Sequence, residues 1–80
     1  MLNNFFYMYL NEIEQNTFGK IIKIYDEKSI LIKLSSMGIS KNTVFAMVKN
    51  NFKGAVILKI DNNKIILGRG LCKKIEVELL

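Results

Sequence analysis

The sequence contains no histidine, no proline and no tryptophan, and only one cysteine and one arginine. Each absence removes a chemistry. Without histidine there is no imidazole to act as general base for a serine or cysteine nucleophile, and no nitrogen ligand for a metal. A lone cysteine can neither close a disulfide nor build a thiolate cluster, and the missing disulfide framework fits a reducing, cytoplasmic compartment. Cys72 lies among apolar residues in "GLCKKIEV" and reads as a buried, inert thiol despite the adjacent Lys73 and Lys74. The N-terminal apolar stretch, Phe5 to Leu10, is six residues long, with no basic leader before it and no small-residue cleavage site after it. A membrane helix needs ~20 such residues, so no membrane insertion is expected.

What is present is lysine and aliphatic residues. Half of the 80 residues are hydrophobic, enough for one small globular domain, and the net charge is +5. Eleven of the twelve cations are lysine. Reading of bases or phosphates favours the planar arginine fork, so nucleic acid is not the expected partner. The carboxylates offer little more. Glu12 and Glu14, and Glu76 and Glu78, are i, i+2 pairs of the kind that line a solvated face. Ser40-Lys41 are adjacent, a spacing that does not present a serine to a lysine base. "GRG" (Gly68 to Gly70) lacks the strand–glycine loop–helix context of a phosphate site and reads as a turn. No catalytic, cofactor-binding or metal-binding residues are assigned, and binding is the expected activity.

The chain has no linker, charge block or repeat. "TFGKIIKIY" (17–25) reads as a strand whose alternation is blurred at Ile21-Ile22, as a bulge would do. "DEKSILIKLSSMG" (26–38) reads as the one helix. Asp26 is its N-cap, Ile30, Leu34 and Met37 form its apolar face, and Gly38 is the left-handed residue that ends it. The rival reading of that stretch is a strand, since Ile30, Ile32 and Leu34 also alternate. Strands follow at 43–50, 55–60, 64–68 and from Ile75 onward, separated by the turns "NFKG", "DNNK" and "RGLCKK", the last with room for one short helical turn. About five short strands with one short helix describe a mainly β fold, a small closed or partly open barrel.

The residues from Leu34 onward, "LSSMGISKNTVFAMVKNNFKGAVILKIDNNKIILGRGLCKKIEVE", resemble the FeoA family. Leu34, Met37, Gly38 and Ile39 match the family's first block, and Thr43 matches its turn threonine. Gly54 matches one of two later glycines, Ile65 and Leu67 the fourth strand, and Ile75 and Val77 the end. Leu10, Ile13 and Gly19 match its opening. Lys41-Asn42 stand where Pro-Gly is usual, and Asn is the best non-glycine residue for a left-handed position. Lys53 and Ala55 flank Gly54 where Gly and Pro are usual, and Cys72 stands where a small residue is usual. The resemblance implies an SH3-like β-barrel over residues 10–80, preceded by an apolar extension at 1–9. It also implies a cytosolic accessory role in bacterial ferrous iron uptake, exerted by contact with the cytosolic GTP-binding domain of a FeoB-type transporter.

Two other readings remain. One is a FeoA-like regulatory domain of a DtxR-type metal-dependent repressor, against which this length leaves no room for a DNA-reading helix-turn-helix. The other is a small basic RNA-binding barrel using Tyr25, Phe45 or Phe52. The partner surface is expected at the joint after the helix (Gly38, Asn42, Thr43) together with the Arg69-Gly70 turn, ringed by Lys49, Lys53, Lys73 and Lys74. The aromatic segment containing Phe5, Phe6, Tyr7 and Tyr9 is expected either to pack on its own barrel or to pair with a second copy as a homodimer.

Overall fold

A computed structural model describes residues 7–80. Strand β1 (Tyr7–Tyr9) leads through a 3-10 turn (Leu10–Glu12) to β2 (Phe18–Ile24). Helix α1 (Lys28–Ser36) is followed by β3 (Val44–Lys49), β4 (Val56–Ile60), β5 (Asn63–Leu67), a helical turn α2 (Arg69–Cys72) and β6 (Ile75–Leu79). The strands form one antiparallel six-stranded sheet in the order β1-β6-β2-β3-β4-β5.

The expected mainly β, SH3-like architecture is present. The sheet wraps one core, and among the described residues it is not closed by hydrogen bonds, with β1 and β5 as its two edges. Alternate residues of the strands supply that core: Ile21, Phe45, Met47, Val56, Leu58, Leu67, Ile75 and Val77 are buried, joined by Leu10, Ile13, Leu34, Ile39 and Cys72. The period of two that makes a strand amphipathic is thus used almost throughout. The irregularity at Ile21-Ile22 is a register shift between Ile21 and Lys23 against β6, and a second shift falls between Met47 and Lys49 against β4. Gly19 is required by close packing. A Cβ there would lie 2.6 Å from Phe45 Cζ and 3.2 Å from the Glu78 carbonyl oxygen.

Several boundaries differ from expectation. Glu27, not Asp26, is the N-cap of α1. The Asp26 carboxylate is engaged one residue earlier, accepting the Glu27 N–H at 2.7 Å and facing Lys74 at 3.5 Å. Met37 is 43% exposed, and Ile39, just past the helix, fills the core in its place. Among the described residues there are two short helical turns besides α1: α2 falls in the "RGLCKK" segment, where one was expected, whereas the 3-10 turn at Leu10–Glu12 was not. Tyr7 and Tyr9 lie in β1, which pairs with β6 of the same chain, the first of the two arrangements expected for that aromatic segment. Phe5 and Phe6 lie outside the described residues.

Candidate protein-contact surface

The joint after α1 is built from backbone hydrogen bonds. Gly38 N–H donates to the Ser35 carbonyl at 3.0 Å and Ile39 N–H to the Leu34 carbonyl at 2.9 Å, the paired bonds of a Schellman motif. Gly38 has φ +87°, and the two residues that flank the motif, Leu34 and Ile39, are both buried. The chain then turns back at once. Thr43 N–H donates to the Ser40 carbonyl at 3.1 Å, with Asn42 at φ +75°. A β-turn with positive φ only at its third residue is type II, the turn that favours Pro-Gly at its centre. Lys41-Asn42 occupy those two central positions. The Thr43 hydroxyl locks the turn to the helix end by donating to the Gly38 carbonyl at 3.2 Å and accepting the Ser40 N–H at 3.2 Å. Asn42 N–H to the Ile21 carbonyl (2.7 Å) and Ile21 N–H to the Thr43 carbonyl (2.9 Å) then fasten the joint to β2.

Between the joint, α1 and the end of β2 lies an open pocket of about 340 Å³, lined by Lys23, Ile24, Leu31, Ile39, Ser40 and Lys41. Its floor is aliphatic and its rim carries two ammonium groups, so it suits an apolar side chain carried on an acidic segment. Lys23 is also held over the Tyr25 ring, 4.9 Å from its centroid. Tyr25 donates its hydroxyl to Glu76 at 2.8 Å, and that bond holds the phenol above its ordinary pKa. Lys23, Ile24 and Leu31 were not legible as pocket residues in the sequence, because nothing in their spacing shows that the joint folds over them.

The remaining residues expected at this surface are divided by the fold. The joint precedes β3, and Lys49 ends it, roughly 17 Å away at ~3.3 Å per residue. Arg69 sits at the Lys49 end and its guanidinium is engaged within the molecule. It donates through Nε to the Gly54 carbonyl (2.8 Å), through Nη1 to the Asn11 carbonyl (3.1 Å) and through Nη2 to Asn50 Oδ1 (2.6 Å). Lys53 lies in the loop so held, and Gly70 follows in α2. Lys74 is directed to Asp26 at the far end of β2, with Lys73 beside it. The structure thus gathers Gly38, Asn42 and Thr43, and places Lys49, Lys53, Arg69 and Gly70 at a second location.

Asn50 is the centre of that second location. It is 3% exposed, the buried polar residue of a core that is otherwise apolar among the described residues. Its Nδ2 donates to the carbonyls of Ile13 (2.8 Å) and Asn11 (3.0 Å), its N–H donates to Gln15 Oε1 (3.1 Å), and its Oδ1 accepts from Phe52 N–H (2.9 Å) and Arg69. The Asn50–Phe52 bond turns the chain sharply and leaves Phe52 at φ +63° with its ring 57% exposed. A left-handed aromatic residue costs about 1–2 kcal/mol, which the network offsets. The asparagine pair of "KNNFKG" marks a turn in the sequence, but not which of the two asparagines turns inward. Cys72 is fully buried, and burial pushes its thiol up to about 11 against the opposing pull of Arg69. Among the described residues no three histidine, cysteine, aspartate or glutamate side chains converge, and no helix is long and apolar enough to cross a membrane.

Comparison with known proteins follows the same lines. No curated protein matches the sequence. The crystal structure of an iron uptake regulatory protein (FeoA) superposes with a TM-score of 0.86 at 22% identity, over 92% of this chain and 99% of that one. A FeoA-like protein from Clostridium acetobutylicum is 28% identical, with a TM-score of 0.77 over 94% of this chain and 88% of that one. A manganese-dependent transcriptional repressor shares the fold (TM-score 0.79, 22% identity), with 92% of this chain covering 42% of the repressor. The model of the FeoA domain matches residues 8–79, and the chain belongs to the FeoA family.

Proposed function

We propose that this protein is a cytoplasmic accessory subunit of bacterial ferrous iron uptake, acting by contact with the cytosolic GTP-binding domain of a FeoB-type transporter. The observation that carries the reading is the family match across residues 8–79, which spans the joint and its pocket. An aliphatic floor with Lys23 and Lys41 at the rim accepts an apolar anchor flanked by carboxylates. A desolvated anchor of that kind dominates protein–protein affinity, while the rim charges set the association rate.

Calorimetric titration of the transporter's isolated cytosolic domain tests the reading. Wild-type protein binds. Leu31→Asp, which places a carboxylate in the pocket floor, weakens binding by about tenfold or more, and Lys41→Glu weakens it most at low salt. Absence of wild-type binding, or binding indifferent to both changes, overturns it.

A second reading is favoured by one observation, the same fold occupying 42% of a manganese-dependent repressor. The mass of the native polypeptide decides between them, since a repressor carries a DNA-binding segment in the same chain.

A further inference from the structure

A second surface lies two strands away from the joint, at the β5 edge of the sheet. Strands β4 and β5 form a hairpin with Ile60 opposite Asn63, closed by Asp61 and Asn62, and Asp61 has φ +54°. In a two-residue hairpin the closing pair exchanges both main-chain hydrogen bonds, and bonded and non-bonded pairs then alternate. Leu58–Ile65 and Val56–Leu67 are therefore bonded pairs, whereas Lys59–Lys64 and Ile57–Ile66 are not. The N–H and C=O groups of Lys64 and Ile66 accordingly point away from β4. Among the described residues, no strand pairs with that side of β5.

The side chains beside these groups share one face. Ile57 and Ile66 stand side by side on the outside of the sheet, with Lys49 opposite Ile57 and the Lys59–Lys64 pair in the next outward row. Ile66 is 67% exposed. The three lysines are exposed, and among the described residues the one ion pair is Lys74–Asp26, so none of the three is neutralised. Asp61, in the hairpin turn, is the nearby carboxylate.

We infer that the free edge of β5 is a docking site for an extended acidic segment of another protein, added to the sheet as a further strand. The main-chain groups of Lys64 and Ile66 supply the ladder, and the outward row supplies selectivity. On the added strand, ~4.8 Å away, an acidic residue faces Lys64 and Lys59, and an apolar residue two positions along covers Ile66 and Ile57. The lysines also exclude competitors. A second copy joined edge to edge would bring Lys64 near its own counterpart, which is unfavourable, and charged edges serve that purpose in many sheets. A nucleic acid strand would need stacking platforms, and this outward row is aliphatic. The site is separate from the joint pocket, so the two assignments stand or fall independently.

The test uses the full chain, isotope-labelled, with a synthetic peptide of about nine residues. One face of the peptide alternates glutamate with valine, and the other face is threonine. Hydrogen exchange of the Lys64 and Ile66 amides is expected to slow about tenfold or more on binding. The double charge reversal Lys59→Glu/Lys64→Glu is expected to weaken binding about tenfold at low salt. Ile66→Pro removes a donor outside the β4 ladder, so it abolishes binding. A peptide N-methylated on alternate amides, which cannot complete the ladder, fails to bind unaltered protein and gives the same readout should the proline variant not fold. The inference is overturned if the peptide does not bind at millimolar concentration, or if it binds without protecting these two amides. It is also overturned if the N-methylated peptide binds equally well. Binding to phosphatidylglycerol vesicles with both amides unprotected would instead make this face a lipid contact, and would overturn it too.

Discussion

Replacing Asn50 by alanine removes four side-chain hydrogen bonds in one step: two donated to the Ile13 and Asn11 carbonyls, and two accepted from Phe52 N–H and the Arg69 guanidinium. A neutral bond contributes ~1 kcal/mol net and a charged one ~1.5–3 kcal/mol, which sets a ceiling near ~6 kcal/mol. Two effects lower it. Arg69 is only half-buried and recovers solvation, and Asn11 keeps its second donor, Arg69 Nη1, at 3.1 Å. The Ile13 carbonyl loses a buried partner. The expected loss is about 3 kcal/mol, a large share of the ~4–12 kcal/mol available to a domain of this size. Urea denaturation followed by far-ultraviolet circular dichroism measures it as a lower midpoint with unchanged slope. Asn50→Asp keeps the acceptor for Arg69 but places a carboxylate oxygen against two carbonyls, so it is also destabilising. A loss under ~1 kcal/mol for Asn50→Ala would refute the claim that this residue ties the β3–β4 loop to the 3-10 turn and α2.

Three further outcomes follow from single positions. Gly38→Val should cost about 1–2 kcal/mol from the left-handed backbone, since nothing beyond the adjoining residues lies within 4 Å of the added Cβ; an unchanged thermal midpoint would contradict it. Gly19→Ala should cost about 1–3 kcal/mol through the clash with Phe45 Cζ at 2.6 Å, read by the same denaturation, and tolerance of alanine would mean that the ring can move. Cys72, whose thiol is raised to about 11, favours the folded state fully below the unfolded thiol's pKa. That contribution is lost as pH climbs through ~8.5 to 11, at up to ~1.4 kcal/mol per unit. Cys72→Ala should remove this part of the alkaline slope, and equal slopes in the two proteins would refute the assignment.

Strand periodicity, the helix end at Gly38 and the hairpin at Asp61 were legible because each depends on local chemistry: alternation of aliphatic residues, a position that needs positive φ, and turn residues that supply it. Asn42 at φ +75° belongs to the same class. The helix start was displaced by one residue because the Asp26 carboxylate has a distant partner, Lys74, that local sequence does not reveal. Met37 fits the helical face by spacing, but the Schellman turn brings Ile39 inward instead. The site was legible only in part. Arg69 was read as a surface cation from its glycine-flanked turn, yet its three acceptors come from residues 11, 50 and 54, which are joined only by the fold. The pocket under the joint has the same character, drawing on β2, α1 and the turn at once.

The central claim, that the joint pocket carries the protein's role in iron uptake, is tested most directly by transport in cells. Uptake of radiolabelled ferrous iron is measured in a strain lacking this gene and carrying either the wild-type copy or Leu31→Asp, with equal protein levels confirmed by immunoblot. The account predicts that the wild-type copy restores uptake and the pocket variant does not. Full restoration by Leu31→Asp, or uptake unchanged by loss of the gene, would contradict it.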